Sequence, residues 1–379
     1  MKKALVVLLA LTCMGAMAFA DAPTAGSFHA WNQGNMFPYY QIGSTAASAG
    51  WGPQWDNVKG IDQEWTFSYD GNNYGFDATL EFGMDNFGNT GNPATAAPSI
   101  SWFSTYYKFG DLVKVRIGKP RFNDYTLFSQ LEGNNVASRF GDSDFMGILQ
   151  LFPVSGLSLA AAYYLPAGAA AANAALGTNP DYGTNIGVGA SYAVPDLLTV
   201  VAAYKSREAT MGTTSSALKQ VSGGVSVSAI KGLPISASVV ADISNSSNTI
   251  IKGFASVGST MFAPLSLTLD AFFANFQSPS QTAYGAELNA EYTVMAPWAV
   301  GVNVGYDGGS ATNLYYGWFN QGVGDWGGFE IYPYVKANFD NGSSLKIGVV
   351  YATAAGTAVA NTTSSNAVIA VPIIYVWSF

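Results

Sequence analysis

The chain has 379 residues, of which only 11% are charged and 49% hydrophobic, against about 25% charged in an ordinary soluble domain. After residue 20 no run of eighteen apolar residues occurs, which excludes membrane-spanning helices. Beyond that point 14 basic residues remain, the 16 of the whole chain less Lys2 and Lys3, against 24 acidic ones, and this balance disfavours a nucleic-acid partner.

Residues 1–20 read as an export signal. Lys2 and Lys3 precede an apolar run from Ala4 to Leu11, and Ala18-Phe19-Ala20 supplies the small residues of a cleavage site after Ala20. Cys13, the sole cysteine, lies inside this segment, so residues 21–379 contain no disulfide and no thiolate metal site. The single histidine, His29, is poor evidence for a metal or a catalytic base. No cofactor is expected. Residues 21–379 are read as one domain.

Rich in Gly, aromatic, Ser, Thr, Ala and Asn residues, that domain breaks into segments long enough to cross a bilayer as tilted strands. The first, 24–41, is poorly patterned, and Gly34 to Tyr40 could belong to a loop. Segments 58–69 and 74–84 follow, joined at Gly71-Asn72-Asn73. In the second, Phe76, Ala78, Leu80, Phe82 and Met84 share one face, while Asp77, Thr79, Glu81 and Gly83 share the other. Segments 99–109 and 112–119 turn at Gly110-Asp111, and Val113, Val115 and Ile117 alternate with Lys114, Arg116 and Gly118.

Further strands are expected at 143–152, 156–164, 184–194, 197–206, 219–229, 232–241, 250–260 and 265–275, then at 283–294, 297–307, 328–339, 344–353 and 367–379. Short links such as Pro195-Asp196, Lys231-Gly232, Ala263-Pro264, Ala296-Pro297 and Asp340-Asn341-Gly342 alternate with long polar stretches. Such residues favour turns. Short turns on one side and long loops on the other are the asymmetry of a membrane barrel. The expectation is an all-β, transmembrane antiparallel β-barrel of about eighteen strands, with sixteen as the alternative. Its apolar face would meet outer-membrane lipid, and it must close, since lipid cannot satisfy an open edge.

The last segment places Val371, Ile373, Tyr375, Trp377 and Phe379 on one face. It resembles the terminal assembly signal of bacterial outer-membrane barrels, which implies recognition of Phe379 by the barrel-assembly machinery. The stretch Gly118-Lys119-Pro120-Arg121 opens a long connection through Asp124, Glu132, Arg139, Asp142 and Asp144. Over residues 99–164 the chain resembles the general porin family of Gram-negative bacteria. That resemblance implies a third outer loop, 120–142, folded inward to narrow a channel for small solutes and ions, and a possible homotrimer.

Charge placement bears on the same loop. Lys108, Lys114, Arg116, Lys119 and Arg121 fall within fourteen positions, and opposing loop acids would set a field across a pore. Arg139 could pair with those acids. On the other strands acids outnumber bases, giving a modest cation preference that the basic cluster could reverse at the narrowest point. Tyr106, Tyr107, Tyr163, Tyr164, Trp65 and Trp102 are read as interfacial girdle residues, with a sugar-binding track as the other reading. The channel reading competes with a substrate-selective uptake barrel for sugars or hydrophobic compounds, and with an occluded barrel that anchors surface loops. An enzyme is the weakest reading, because nothing marks a catalytic group.

Overall fold

Alternation with a period of two makes each segment a strand with one greasy and one polar face, and only a ring of such strands leaves no edge unpaired in lipid. The computed structural model describes residues 27–42, 49–53, 59–85, 99–120, 125, 145–164, 185–207, 218–245, 247–277, 280–309, 327–339, 342–354 and 367–378. In chain order the strands are β1 (Ser27–Gln41), β2 (Ala49–Pro53), β3 (Lys59–Asp70), β4 (Tyr74–Asp85), β5 (Ser99–Phe109), β6 (Val113–Lys119) and β7 (Met146–Val154). There follow β8 (Leu157–Tyr164), β9 (Ile186–Val194), β10 (Leu198–Arg207), β11 (Leu218–Val227), β12 (Ile235–Asp242), β13 (Ile250–Phe262) and β14 (Leu265–Phe276). The remainder are β15 (Gln281–Met295), β16 (Trp298–Gly309), β17 (Gly327–Asn338), β18 (Ser344–Gly348), β19 (Val350–Ala354), β20 (Val368–Ala370) and β21 (Ile373–Ser378).

Eighteen strands cross the barrel. Segments β18 and β19 form one crossing interrupted at Val349, and β20 and β21 form another interrupted at Pro372, where a ring nitrogen has no donor for the ladder. β2 is an addition the sequence did not announce, a short strand paired with the far end of β1 on the edge that β3 occupies nearer the chain start, Tyr39 opposite Gly50. All neighbours pair antiparallel. β1 closes the ring, with Trp31 opposite Glu64 of β3 on one side and Ser378 of β21 on the other. Because Gly34 pairs with both Ile61 and Tyr375, the poorly patterned first segment is a full barrel strand. The sixteen-strand alternative is therefore excluded. One expected tight link is longer than anticipated: β11 and β12 are joined by residues 228–234, because Lys231-Gly232 forms only the centre of a wider turn.

The two faces separate as the pattern requires. Leu345, Ile347, Val349 and Tyr351 point outward, as do Leu288 and Tyr292, whereas Glu287 is buried on the inner face. Outward Tyr284 and Tyr292 lie toward opposite ends of β15, about 26 Å apart along an extended strand. Tyr284 stacks obliquely with Tyr306 of β16 at 6.4 Å. Trp298, Trp377 and Tyr107 face outward near the short-turn rim. Aromatic residues at both edges of an apolar band are where a membrane barrel meets the two lipid interfaces. This closed ring is an integral barrel of the outer-membrane type.

Candidate pore lining and its charges

β4, β5 and β6 bring their inward residues into one polar row. Arg116 donates from Nη1 to Asp77 Oδ2 at 2.9 Å and to Ser104 Oγ at 2.9 Å, and Ser104 Oγ in turn donates to Asp77 at 2.6 Å. Gly118 makes this row compact. It stands opposite Ser104 with φ of 136°, and a Cβ there would collide with the Phe103 carbonyl. A charge-assisted pair with a shared hydroxyl holds the guanidinium against the wall.

Beside this row lies Tyr106. The ammonium of Lys114 is 4.3 Å from its ring centre and that of Lys108 is 5.2 Å away, within the range of cation–π attraction. The Tyr106 ring lies over Gly75, which has no side chain to displace it. The same ring-on-glycine arrangement recurs at Tyr334 over Gly301, Tyr332 over Gly348 and Tyr125 over Gly189. An aromatic laid flat on a glycine fills the gap in the wall and takes little room from the lumen.

β6 is the fifth crossing strand and β15 the fourteenth, half the ring away. On that opposite wall Glu287, Gly305 and Glu330 form one row across β15, β16 and β17. Adjacent strands lie about 4.8 Å apart, so the two glutamates leave the backbone about 10 Å apart. The side chain of Glu330 lies over Gly305, and Glu287 and Glu330 are both buried on the inner face. Toward the short-turn rim, Asn289 donates to the Asn303 side chain and to Tyr334 Oη at 3.3 Å. Tyr334 Oη donates to Glu291 at 3.0 Å, and Lys336 approaches Glu291 at 3.7 Å. Lys346, directly opposite Lys336, sits 3.9 Å from the Tyr334 ring centre and 4.6 Å from that of Tyr332. Like charges face each other here because Glu291 engages one and two π faces engage the other.

Solved structures similar to this barrel include bacterial porins. The anion-selective porin from Comamonas acidovorans superposes with a TM-score of 0.54 at 10% identity, covering 94% of this chain and 100% of its own. Two substitution variants of Rh. blastica porin give 0.50 at 11% and 12% identity, each over 93% of this chain and 100% of that one. This chain has the porin fold. No known family pattern and no curated protein sequence matches it, so the likeness is one of architecture.

Within this porin fold the basic run expected as one locus divides. Lys108, Lys114 and Arg116 gather around Tyr106 toward the short-turn rim, and Lys108 reaches Asp70 of that rim at 3.4 Å. Lys119 stands at the other end of β6, where the long connection leaves. Arg121, Asp124, Glu132, Arg139, Asp142, Asp144 and Phe379 lie outside the described residues, as does the cleavage site at Ala20. Tyr106 and Tyr164 are not girdle residues. Both are buried inward, and Lys205 covers the Tyr164 ring at 5.0 Å. Lys205 and Lys252, buried on the inner face of β10 and β13, are cations that alternation places inward and the sequence reading did not weigh.

Tyr125 is a described residue within the connection after β6. It is fully buried on the inner wall, its hydroxyl 2.6 Å from Ser158 Oγ of β8 and its ring against Gly189 of β9.

Proposed function

We propose that the chain is a porin-type channel through which small hydrophilic solutes and ions diffuse passively across the outer membrane, narrowed by the connection 120–142. The porin fold supports the general passive-diffusion role. The observation that carries the finer reading is Tyr125, a residue of that connection held on the inner wall two strands beyond the point where the connection leaves the rim.

No reaction is involved. A solute moves down its gradient through a wet lumen, and its passage depends on bore and field. The field in this reading runs from wall to wall: Lys108, Lys114 and Arg116 on one side, Glu287, Glu291 and Glu330 on the other. Asp77 offsets Arg116, while Lys336 and Lys346 offset the glutamates. Inward Lys205 and Lys252 add positive charge, so the acids no longer set the ion preference alone. The lumen would thus orient polar solutes more than it excludes either sign of ion. A homotrimer, as the family resemblance implies, is part of this proposal.

Inward tyrosines bear on the sugar-selective reading. Tyr125, Tyr164 and Tyr332 are fully buried, and cations lie over the Tyr164 and Tyr332 rings. A sugar track needs open faces, so these rings favour a structural lining.

Liposome swelling tests the proposal. Vesicles holding the purified barrel should swell in neutral sugars at rates that fall smoothly with sugar size. Vesicles that stay closed to the smallest sugar would refute it, and uptake of one sugar out of size order would favour the selective barrel.

A further inference from the structure

Strands in lipid need an unbroken ladder at mid-depth, because hydrocarbon offers no partner to a lost backbone bond. The wall from β17 to β21 departs from this at one height. Pro333 stands at the centre of β17, and its carbonyl accepts from the Val349 amide at 3.1 Å. On the other edge of the same crossing, the Gly348 amide donates to the Pro372 carbonyl at 3.3 Å. In a closely spaced antiparallel pair each such bond has a reciprocal one. Neither proline nitrogen carries a hydrogen. The Val349 and Gly348 carbonyls, adjacent in sequence and facing opposite neighbours, therefore both lose their ladder donors.

The breaks line up. Val349 falls out of strand between β18 and β19, and Val371 and Pro372 fall out between β20 and β21. One strand further on, β1 pairs Met36 with Ile373 and resumes at Tyr39 with Ala370, passing over Val371 and Pro372. Together they form a crease between β18/β19 on one side and β20/β21 on the other. Its side chains are apolar on both faces. Val349 and Val371 are exposed outward. Val350, Ala352, Val368 and Ala370 are buried inward, where the wall elsewhere carries groups such as Gln150 and Glu287. From the lumen side the Tyr332 ring lies over Gly348, with the Tyr334 ring 5.3 Å from it.

We propose that this crease is a lateral portal, an opening between β18/β19 and β20/β21 through which small amphipathic molecules pass from the lumen into the bilayer. The inference rests on the open lumen of the channel reading and gives that lumen a second exit. Fewer ladder bonds join the strands at this height, so local separation is easier here than in an intact part of the ring. The solute class follows from the lining. An apolar body suits a passage without charged side chains at Val349, Val350, Ala370 and Val371. An N–H or O–H on that body can donate to the two carbonyls that the prolines leave without ladder donors. Lys346, against both tyrosine rings on the short-turn side, is a polar neighbour for the other end.

Dye uptake by cells tests the portal. Gram-negative cells lacking their own major porins exclude N-phenyl-1-naphthylamine, an aromatic amine that fluoresces in lipid. Cells carrying the barrel should take it up several-fold faster than cells without it. Ile347 and Ile373 stand directly opposite each other beside the crease, both facing outward. Residues 21–379 contain no cysteine, and directly opposed strand positions lie within disulfide reach. Ile347→Cys with Ile373→Cys, oxidised by copper phenanthroline, should clamp the crease and abolish the added dye uptake. Reduction should restore it, and sugar uptake should stay constant throughout. Pro372→Ala, which returns a donor to the Gly348 carbonyl, should slow the dye as well. Heat-modifiable gel migration confirms that each barrel is folded. Dye uptake that ignores the clamp, or a wild-type barrel that passes sugars and no dye, would overturn the portal and leave the channel standing. A wild-type barrel that passes neither would overturn both.

Discussion

Arg116 reaches across Ser104 to Asp77, two strands away, and the three side chains close a hydrogen-bonded triangle with edges of 2.9, 2.9 and 2.6 Å. Arg116 is mostly shielded, with 12% of its side-chain surface exposed. Its charge is thus largely neutralised at the wall, whereas Lys114 is restrained by the face of Tyr106. The two cations of one strand face should contribute unequally to ion selectivity.

Lys114→Gln should shift the reversal potential in asymmetric KCl toward cation selectivity by more than Arg116→Gln does. Asp77→Asn, which removes the carboxylate that Arg116 engages at 2.9 Å, should shift it the opposite way. A partly shielded guanidinium deprived of its carboxylate should also lower barrel stability by about 1–3 kcal/mol. Equal shifts for Lys114→Gln and Arg116→Gln would show that the triangle does not mask Arg116.

The opposite wall predicts the converse. Glu287→Gln with Glu330→Gln removes two inward carboxylates flanking Gly305 and should move the barrel toward anion selectivity. Combining that pair with Lys114→Gln should return the reversal potential toward the wild-type value. This cancellation is expected only if both walls act on the same ion path, and it is checked by the reversal potentials of the three variants.

Ring-on-glycine packing makes a steric prediction. A Cβ at Gly301 would collide with the Tyr334 ring, so Gly301→Val should swing the ring inward and break its 3.0 Å bond to Glu291. Single-channel current should fall. Tyr334→Ala added to Gly301→Val should restore it, because the displaced ring is then absent. A fall that persists in the double variant would place the obstruction elsewhere.

Lipid contact can be tested on one strand. Leu288 faces outward at 43% exposure, between the inward residues Glu287 and Asn289. Leu288→Arg should cost about 2–4 kcal/mol of folding stability in lipid if it lies near the bilayer midplane, read from denaturant refolding into vesicles. A loss under 1 kcal/mol would mean that this face does not meet hydrocarbon.

Much of this was legible beforehand for a physical reason. Where lipid and water face opposite sides of a strand, the period of two is strict, and Leu345-Lys346-Ile347 or Ala286-Glu287-Leu288 announces its own orientation. The same rule fails for residues whose placement depends on a partner. Tyr106 and Tyr164 sit next to Tyr107 and Tyr163, and composition alone does not say which of each pair turns inward, although parity with Lys108 and Ala162 does. β2 lacks enough length for a pattern. Tyr125 stands in a polar stretch with no periodicity, and its place on the inner wall is visible only once Gly189, Ser158 and Ala160 are brought together from other strands. Local pattern encodes the wall, and the lining of the lumen depends on contacts far apart in sequence.

The central claim is that this ring encloses a conducting path. Single-channel recording of the purified barrel in a planar bilayer with 1 M KCl on both sides (a concentration of about this order screens surface charge to about 3 Å) tests it most directly. The expected result is stepwise insertion of uniform, ohmic conductances. Correctly folded barrels that insert and pass no current would contradict the account.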